Sequence, residues 1–572
     1  MADPVLLTVL IVSSLLVLSI FSSVLSFRIG APLLLVFLTI GLVAGAEELG
    51  GLAFDDAGLS FWLCSLGLAV VLFDSGFATP WRAYRKAAAP ALTLATVGTV
   101  ITAGLFAVCA YWLLPIDWPL ALLLGACLSS TDAAAVFFQL RSGGVRIQER
   151  VRSTIEIESG TNDPIAIFMV IAVLAVMDGD RSAGTQLLLT LIEQFGIGAL
   201  MGLLGGLLIV RAVNMLDIET ALYPVAVLGM TLLLFSATAW MGGSGFLAVY
   251  LAGLVAGNRP LKAKYSMRRF QAVLTWLAQI LMFVTLGLLA VPENLITVFW
   301  PALALALVLM FVARPLAVAA CLPFQGFSRN ETLFVSWVGL RGAVSILLAI
   351  MPMQAGIEGG QLLFNVVVLV VVFSLLLQGW TVKAAARASR VLLSEQSAMI
   401  DRIELELPGR AEHELVGYRL LATSPAITGA RIPRWARPSL VIRDGHSLRP
   451  HQAGALQPGD TVYMFCAEHH IRLLDRIYAT SHGLDARQWL GDYSLPPDAL
   501  VEPVAQRFAI ALPSDLKGLT LRQVFEKRLR GRIELGDRVP LGEFALIVRD
   551  LSVDGTIEEV GLLVDDPETV GR

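Results

Sequence analysis

Apolar runs long enough to cross a bilayer follow one another along the first two thirds of the chain. They lie near residues 3–25, 30–46, 60–78, 87–113, 118–140, 155–177, 186–211, 220–240, 243–257, 269–290, 295–322, 331–352 and 360–386. A spanning helix needs about 20 mostly apolar residues, so the pattern predicts thirteen membrane helices within residues 1–390. Beyond that point the pattern changes to short β-branched runs separated by Gly, Pro and Asp, as in "PSLVIRDGHSLRPHQAGALQPGDTVYMF". Such spacing predicts small α+β domains.

The polar connections orient the helices. With the N-terminus outside, the inner loops carry fifteen Lys and Arg residues, including Arg82, Arg85, Lys86, Arg150, Arg259 and Lys262. The outer loops carry only Arg181 and instead collect Glu47, Glu48, Asp55, Asp117, Asp178, Asp180 and Glu358. Cytoplasmic loops gather basic residues, so the expected topology places the N-terminus in the periplasm and the C-terminus in the cytoplasm. The start, "MADPVLLTVLIVSSLLVLSI", has no basic region of the kind that precedes a cleaved leader and reads as the first spanning helix. An odd count also permits an internal repeat. If helices 1–6 match helices 8–13, the two halves are inverted, a plan common among secondary transporters.

Composition agrees with that picture. Of the 572 residues, 56% are hydrophobic and 15% charged, with a mean hydropathy of +0.73. A soluble protein carries about 25% charged residues. The five cysteines show no metal-ligand spacing, and the net charge of −4 gives no reason to expect a nucleic acid. No nucleotide-binding loop, catalytic-triad spacing or metal motif is found in the tail, so an enzyme and a bound cofactor are not expected.

Ionisable residues deep within the apolar runs are few and therefore informative. Among them are Asp74 in helix 3, Asp132 in helix 5, Glu158 and Asp163 in helix 6, Arg314 in helix 11 and Arg341 in helix 12. A charge at the bilayer centre costs about 2.5–3.5 kcal/mol on insertion scales, so these groups are expected to pair or to bind an ion. Ser159, Asn162 and Asp163 stand at i, i+3 and i+4 and share one helix face. That face presents a hydroxyl, an amide and a carboxylate, a set of hard oxygens suited to a desolvated monovalent cation. The stretches "SSTDA" in helix 5 and "GLRGAVS" in helix 12 predict interrupted helices, because irregular backbone at membrane depth is tolerated where it lines a cavity. Other readings stay open. Glu158 with Arg341 reads as readily as a clamp between helices, Arg314 reads as structural, and Asp74 lies close enough to an inner loop to be solvated. All six histidines lie in the tail, so a carboxylate has to carry any proton at these sites. A carboxylate that takes either a cation or a proton, but not both, exchanges them by mass action, and Asp163 is the candidate.

Four stretches in order, "LFDSG", "SSTDAAAVF", "ESGTNDPIAIF" and "GLRGAVSI", resemble the NhaP-type monovalent cation/proton antiporters across the whole membrane region. The resemblance implies thirteen helices in inverted repeats, two of them unwound and crossing at the ion site, and a homodimer. It implies Asp163 as the cation- and proton-binding carboxylate, with Ser159, Asp132 and Thr131 (through its carbonyl) as co-ligands. Asn162, Glu158 and Arg341 fall in the supporting network, and Asp74 stands where relatives often have Glu. Asn rather than Asp before the key carboxylate resembles the electroneutral type, which implies one cation per proton.

Residues 400–485 resemble the C-terminal lobe of regulatory domains on potassium channels and transporters, and residues 500–570 a small domain appended to several ion transporters. Between them "LPPD" reads as a linker. The tail is expected to be a site for a small-molecule or nucleotide regulator, or a passive assembly module. A K+/H+ antiporter of the bacterial inner membrane is thus the expectation, with Na+/H+ exchange at the same site as its alternative. A potassium channel is disfavoured because no TVGYG-type filter occurs.

Overall fold

A computed structural model describes the chain except for residues 1–3, 30–31, 46–55, 80, 82–86, 143–144, 146, 178–182, 393–398, 405–412, 423, 429–431, 433–435, 468–473, 475–476, 479–492, 509, 511, 530–532, 534–535, 542–543, 553 and 565–572. The loop charges Glu47, Glu48, Asp55, Arg82, Arg85, Lys86, Asp178, Asp180 and Arg181 lie outside the described residues. The chain divides into two units, Met1–Leu393 and Ser394–Arg572.

The first unit is helical. Its main elements are α1 (Pro4–Ile29), α2 (Leu33–Gly45), α3 (Ala57–Ala78), α4 (Ala88–Leu113), α5 (Trp118–Cys127), α6 (Ala133–Ser142) and α7 (Glu149–Met177). They continue as α8 (Ala183–Met215), α9 (Leu222–Trp240), α10 (Gly245–Gly257), α11 (Lys264–Leu289), α12 (Phe299–Gln325), α13 (Arg329–Trp337), α14 (Ala343–Gln354) and α15 (Gly360–Ala388). Among the described residues, eight helices are long and apolar enough to cross a membrane, and five further apolar helices are shorter. Local chemistry sets several of their starts. The Asp56 carboxylate accepts from Leu59 N–H at 2.8 Å to cap α3, and Ser328 with Glu331 forms a capping box on α13, satisfying donors that a helix N-terminus leaves free.

Packing within this unit is reciprocal. In α2, Gly41 lies against the backbone of Val284 in α11, while Gly287 of α11 lies against Leu38 of α2. The same exchange recurs between α3 and α10: Gly76 meets the Tyr250 carbonyl, and Gly253 meets that of Phe73. A Cβ at any of these positions would strike a neighbouring backbone, so glycine permits the close approach. The helices also recur in kind. A π-helical turn interrupts α4 at Leu94–Gly98 and α12 at Leu309–Ala313. Helical hydrogen bonding stops at residues 128–132, between α5 and α6, and again at 338–342, between α13 and α14. After each break a short helix, α6 or α14, leads into a helix of 29 residues, α7 or α15. Pro164 lies inside α7 without ending it.

The second unit holds two antiparallel sheets. Strands β1 (Met399–Glu404), β2 (His413–Arg419), β3 (Leu440–Arg443), β4 (His446–Leu448) and β5 (Thr461–Ala467) pair in the order β1-β2-β5-β3-β4. Asp444 and Gly445, both at positive φ, turn β3 into β4, as a two-residue hairpin loop requires. Alternate residues Val416 and Tyr418, and Val462 and Met464, point into its core. The second sheet orders β6 (Tyr493–Leu495), β9 (Ile557–Val564), β8 (Phe544–Leu551) and β7 (Arg538–Leu541). Its core includes Leu521, Val524 and Phe525 from the helix Leu521–Arg528. Leu495 of "LPPD" ends β6, paired with Val560, and so belongs to the second sheet, not to a linker.

Candidate cation-binding site

The two interruptions meet. Asp132 N–H donates to the Leu340 carbonyl at 2.8 Å, joining the freed backbone of one broken helix to that of the other. Around this contact, α7 supplies side chains that replace lost helical hydrogen bonds. Ser159 Oγ accepts from Ala133 N–H at 3.1 Å and donates to the Thr131 carbonyl at 2.8 Å. Asn162 Nδ2 donates to Thr131 Oγ1 at 2.7 Å. The Asp132 carboxylate accepts from Ala135 N–H at 3.0 Å, at the positive end of α6.

Asp163 is buried, and the Ser130 hydroxyl donates to its Oδ1. Through Ser130 and these bonds, Asp163, Asp132, Ser159, Thr131 and Asn162 are linked at the place where the two breaks meet. Asn162 Oδ1 is buried and has no hydrogen-bond partner among the described residues. A buried acceptor left open is costly, and with two carboxylates and several hydroxyl and carbonyl oxygens it completes a set that suits a hard monovalent cation.

Glu158 and Arg341 do not form the clamp that the sequence left open as one reading. Glu158 takes Arg314 instead, in a bidentate pair with Nη1–Oε1 at 2.5 Å and Nη2–Oε2 at 2.9 Å, both side chains almost wholly enclosed. The fork of a guanidinium matches a carboxylate edge-on, and Arg314 on α12 presents it where Arg341 does not. Arg341, fully buried, donates through Nη1 to the Ser130 carbonyl at 2.6 Å. Asp74 accepts from Thr275 Oγ1 at 2.8 Å, which ties it to α11.

Sequence reasoning missed Ser130. Its neighbour Thr131 was singled out, yet both precede Asp132 in an irregular segment, where spacing does not say which hydroxyl faces which helix.

Two broken helices that meet beside a buried carboxylate fit an integral membrane transporter, and residues 12–388 match the transmembrane sodium/hydrogen exchanger family, to which this chain belongs. It is similar to the K+/H+ antiporter NhaP of Alkalimonas amylolytica, at 37% identity over 569 residues that cover 98% of this chain and 99% of the relative. The K+/H+ antiporter NhaP2 of Shewanella oneidensis is 36% identical over 553 residues, covering 95% of this chain and 96% of the relative. In fold, the sodium proton antiporter MjNhaP1 of Methanocaldococcus jannaschii superimposes with a TM-score of 0.58 at 23% identity, over 68% of this chain and 98% of that one.

Proposed function

We propose that this protein is a K+/H+ antiporter working by alternating access, one cation for one proton, at the site around Asp163. One observation carries the reading: a buried carboxylate sits where two helix breaks and the Ser159–Asn162 face of α7 bring hard oxygens together. The same oxygens serve a proton or a cation, and binding of either excludes the other. In this reading Asp163, Asp132, Ser159 and the Thr131 carbonyl take the cation, and Asp74 is a further ligand candidate. Potassium is favoured by the names of the relatives similar over nearly the full chain. Na+/H+ exchange is the alternative, because the Na+/H+ antiporter NhaH of Halobacillus dabanensis is 29% identical over 60% of this chain and 88% of its own length.

The eight long and five shorter apolar helices support thirteen spans, and the recurring breaks and π turns support two inverted repeats. Trp112, Trp118, Trp240 and Trp300 are exposed at helix ends that the charge pattern assigns to the outer side, where indole rings favour the bilayer interface. We place the protein in the bacterial inner membrane as a homodimer, N-terminus periplasmic, with residues 400–485 and 500–570 as cytoplasmic regulatory domains.

The test is reconstitution in vesicles holding a pH dye, with an imposed proton gradient and the membrane potential clamped. Proton efflux on adding K+, indifferent to potential, is the expected result. A response to Na+ alone selects the alternative, and cation flux without proton movement rejects exchange altogether.

A further inference from the structure

Helix α15 is the most apolar of the long helices, yet it buries three polar side chains, Asn365 and, one turn apart from each other, the pair Ser374 and Gln378. The pair is spent on the second interruption. Gln378 Nε2 donates to the Trp337 carbonyl at 2.7 Å, the last carbonyl of α13. Ser374 Oγ donates to Gln378 Oε1 at 2.7 Å and accepts from Arg341 N–H at 3.1 Å. Two backbone groups freed by the break are thereby satisfied by one pair of side chains.

The pair does more than close the break. The Arg341 guanidinium leaves Nε and Nη2 buried without partners, so its only side-chain anchor among the described hydrogen bonds is Nη1 on the Ser130 carbonyl. Its location depends on where the backbone at 341 is held, and Ser374 holds that backbone. From Ser130 the chain continues through its hydroxyl to Asp163. A second link leaves the same segment, from the Leu340 carbonyl to Asp132 N–H.

The other half of the fold repeats the device. There Ser159 of α7 takes Ala133 N–H from the first break, as Ser374 of α15 takes Arg341 N–H from the second. Helix α7 adds a carboxylate beside its serine, and α15 adds only the amide of Gln378. We propose that Ser374 and Gln378 are positioning residues for the cation site, holding the Arg341 segment so that Ser130 and Asp132 stand correctly around Asp163. This rests on the exchange reading above and extends it to residues that touch neither ion.

The full-length protein carrying Ser374→Ala, Ser374→Thr or Gln378→Met is reconstituted, and exchange is measured against K+ concentration and pH. A buried hydrogen bond removed from the scaffold is felt as misplacement of the ligands. Ser374→Ala and Gln378→Met are expected to raise the KM for K+ about three- to tenfold and to displace the pH profile, with the maximal rate within about twofold of wild type. Ser374→Thr, which keeps the hydroxyl, restores the wild-type KM. In detergent, the K+ concentration giving half the thermal stabilisation should rise by the same factor, a readout that needs no transport. Wild-type KM, pH profile and K+ stabilisation in Ser374→Ala overturn the proposal, whatever happens to its melting temperature. Should Gln378→Met fail to accumulate, the Ala and Thr variants at 374 decide alone. Lack of exchange by the wild type would count against the function, while the stabilisation assay would still judge the positioning role.

Discussion

Asp132 N–H and the Leu340 carbonyl lie 2.8 Å apart, so each broken helix satisfies the other's freed backbone. Neither break could be relocated alone without leaving a polar group bare in an apolar interior, which costs about 1–3 kcal/mol even after relaxation. The crossing is thus a joint unit. A movement that separates the two breaks dismantles that unit.

The first prediction concerns Asp163. Replacing it with Asn keeps an oxygen able to accept from Ser130 but removes the group that releases a proton. Asp163→Asn should accumulate and bind detergent like wild type, while K+-driven proton movement in vesicles falls to background. Proton-coupled K+ flux persisting in this variant would sink the assignment.

A second prediction follows from the Glu158–Arg314 pair. Removing one partner of a buried ion pair strands the other and costs about 3–5 kcal/mol, whereas replacing both with apolar groups can be neutral. Glu158→Gln should lower the melting temperature in detergent steeply. Glu158→Leu combined with Arg314→Met should recover most of that loss. A double variant no more stable than Glu158→Gln would show that the pair does more than neutralise charge.

How much of this could be read beforehand depended on regular spacing. Ser159, Asn162 and Asp163 lie on a continuous helix, so the i, i+3, i+4 rule placed them on one face, and the structure brings that face to the crossing. The breaks themselves were signalled by "SSTDA" and "GLRGAVS". Partnerships across the bundle were not. Arg314 and Arg341 both stand in apolar runs, and only three-dimensional placement shows that Arg314 meets Glu158 while Arg341 meets a carbonyl. Ser130 was hidden because its segment has no period, and Ser374 and Gln378 because polar residues in an apolar helix look alike until the backbone groups they serve are seen.

The third prediction is steric. A Cβ on Gly342 would run into the Asp132 carboxyl group, although the glycine's own backbone, at φ −125°, is open to any residue. Gly342→Ala must therefore displace the Asp132 side chain without straining the chain locally. Because a shift of about 1 Å at a ligand can cost up to 10²-fold in rate, exchange should drop about tenfold or more while the melting temperature stays close to wild type. Equal loss in both measurements would point to general misfolding instead.

The last prediction lies in the tail. Arg443 clasps Asp460 with Nε and Nη2, each at 2.8 Å from a carboxylate oxygen, and also donates to the carbonyls of Ala453 and Ala455. These bonds tie β3 to the turn before β5, and Gln457 N–H adds another at 2.8 Å. The side-chain hydrogen bonds from Arg443 hold the Asp460 carboxyl below its ordinary range, with the Gln457 amide assisting. A carboxylate whose pKa is depressed by folding contributes stability above its unfolded value, about 3.9, and that contribution is lost as pH falls through the lower folded value. Protection of the β3 and β5 amides from hydrogen exchange, corrected for intrinsic rates, should accordingly be flat from neutral pH down to about 4 and weaken below it. In Asp460→Asn the protection should already be reduced at neutral pH and should change little on acidification. Equal acid sensitivity in the two proteins would place the responsible carboxylate elsewhere.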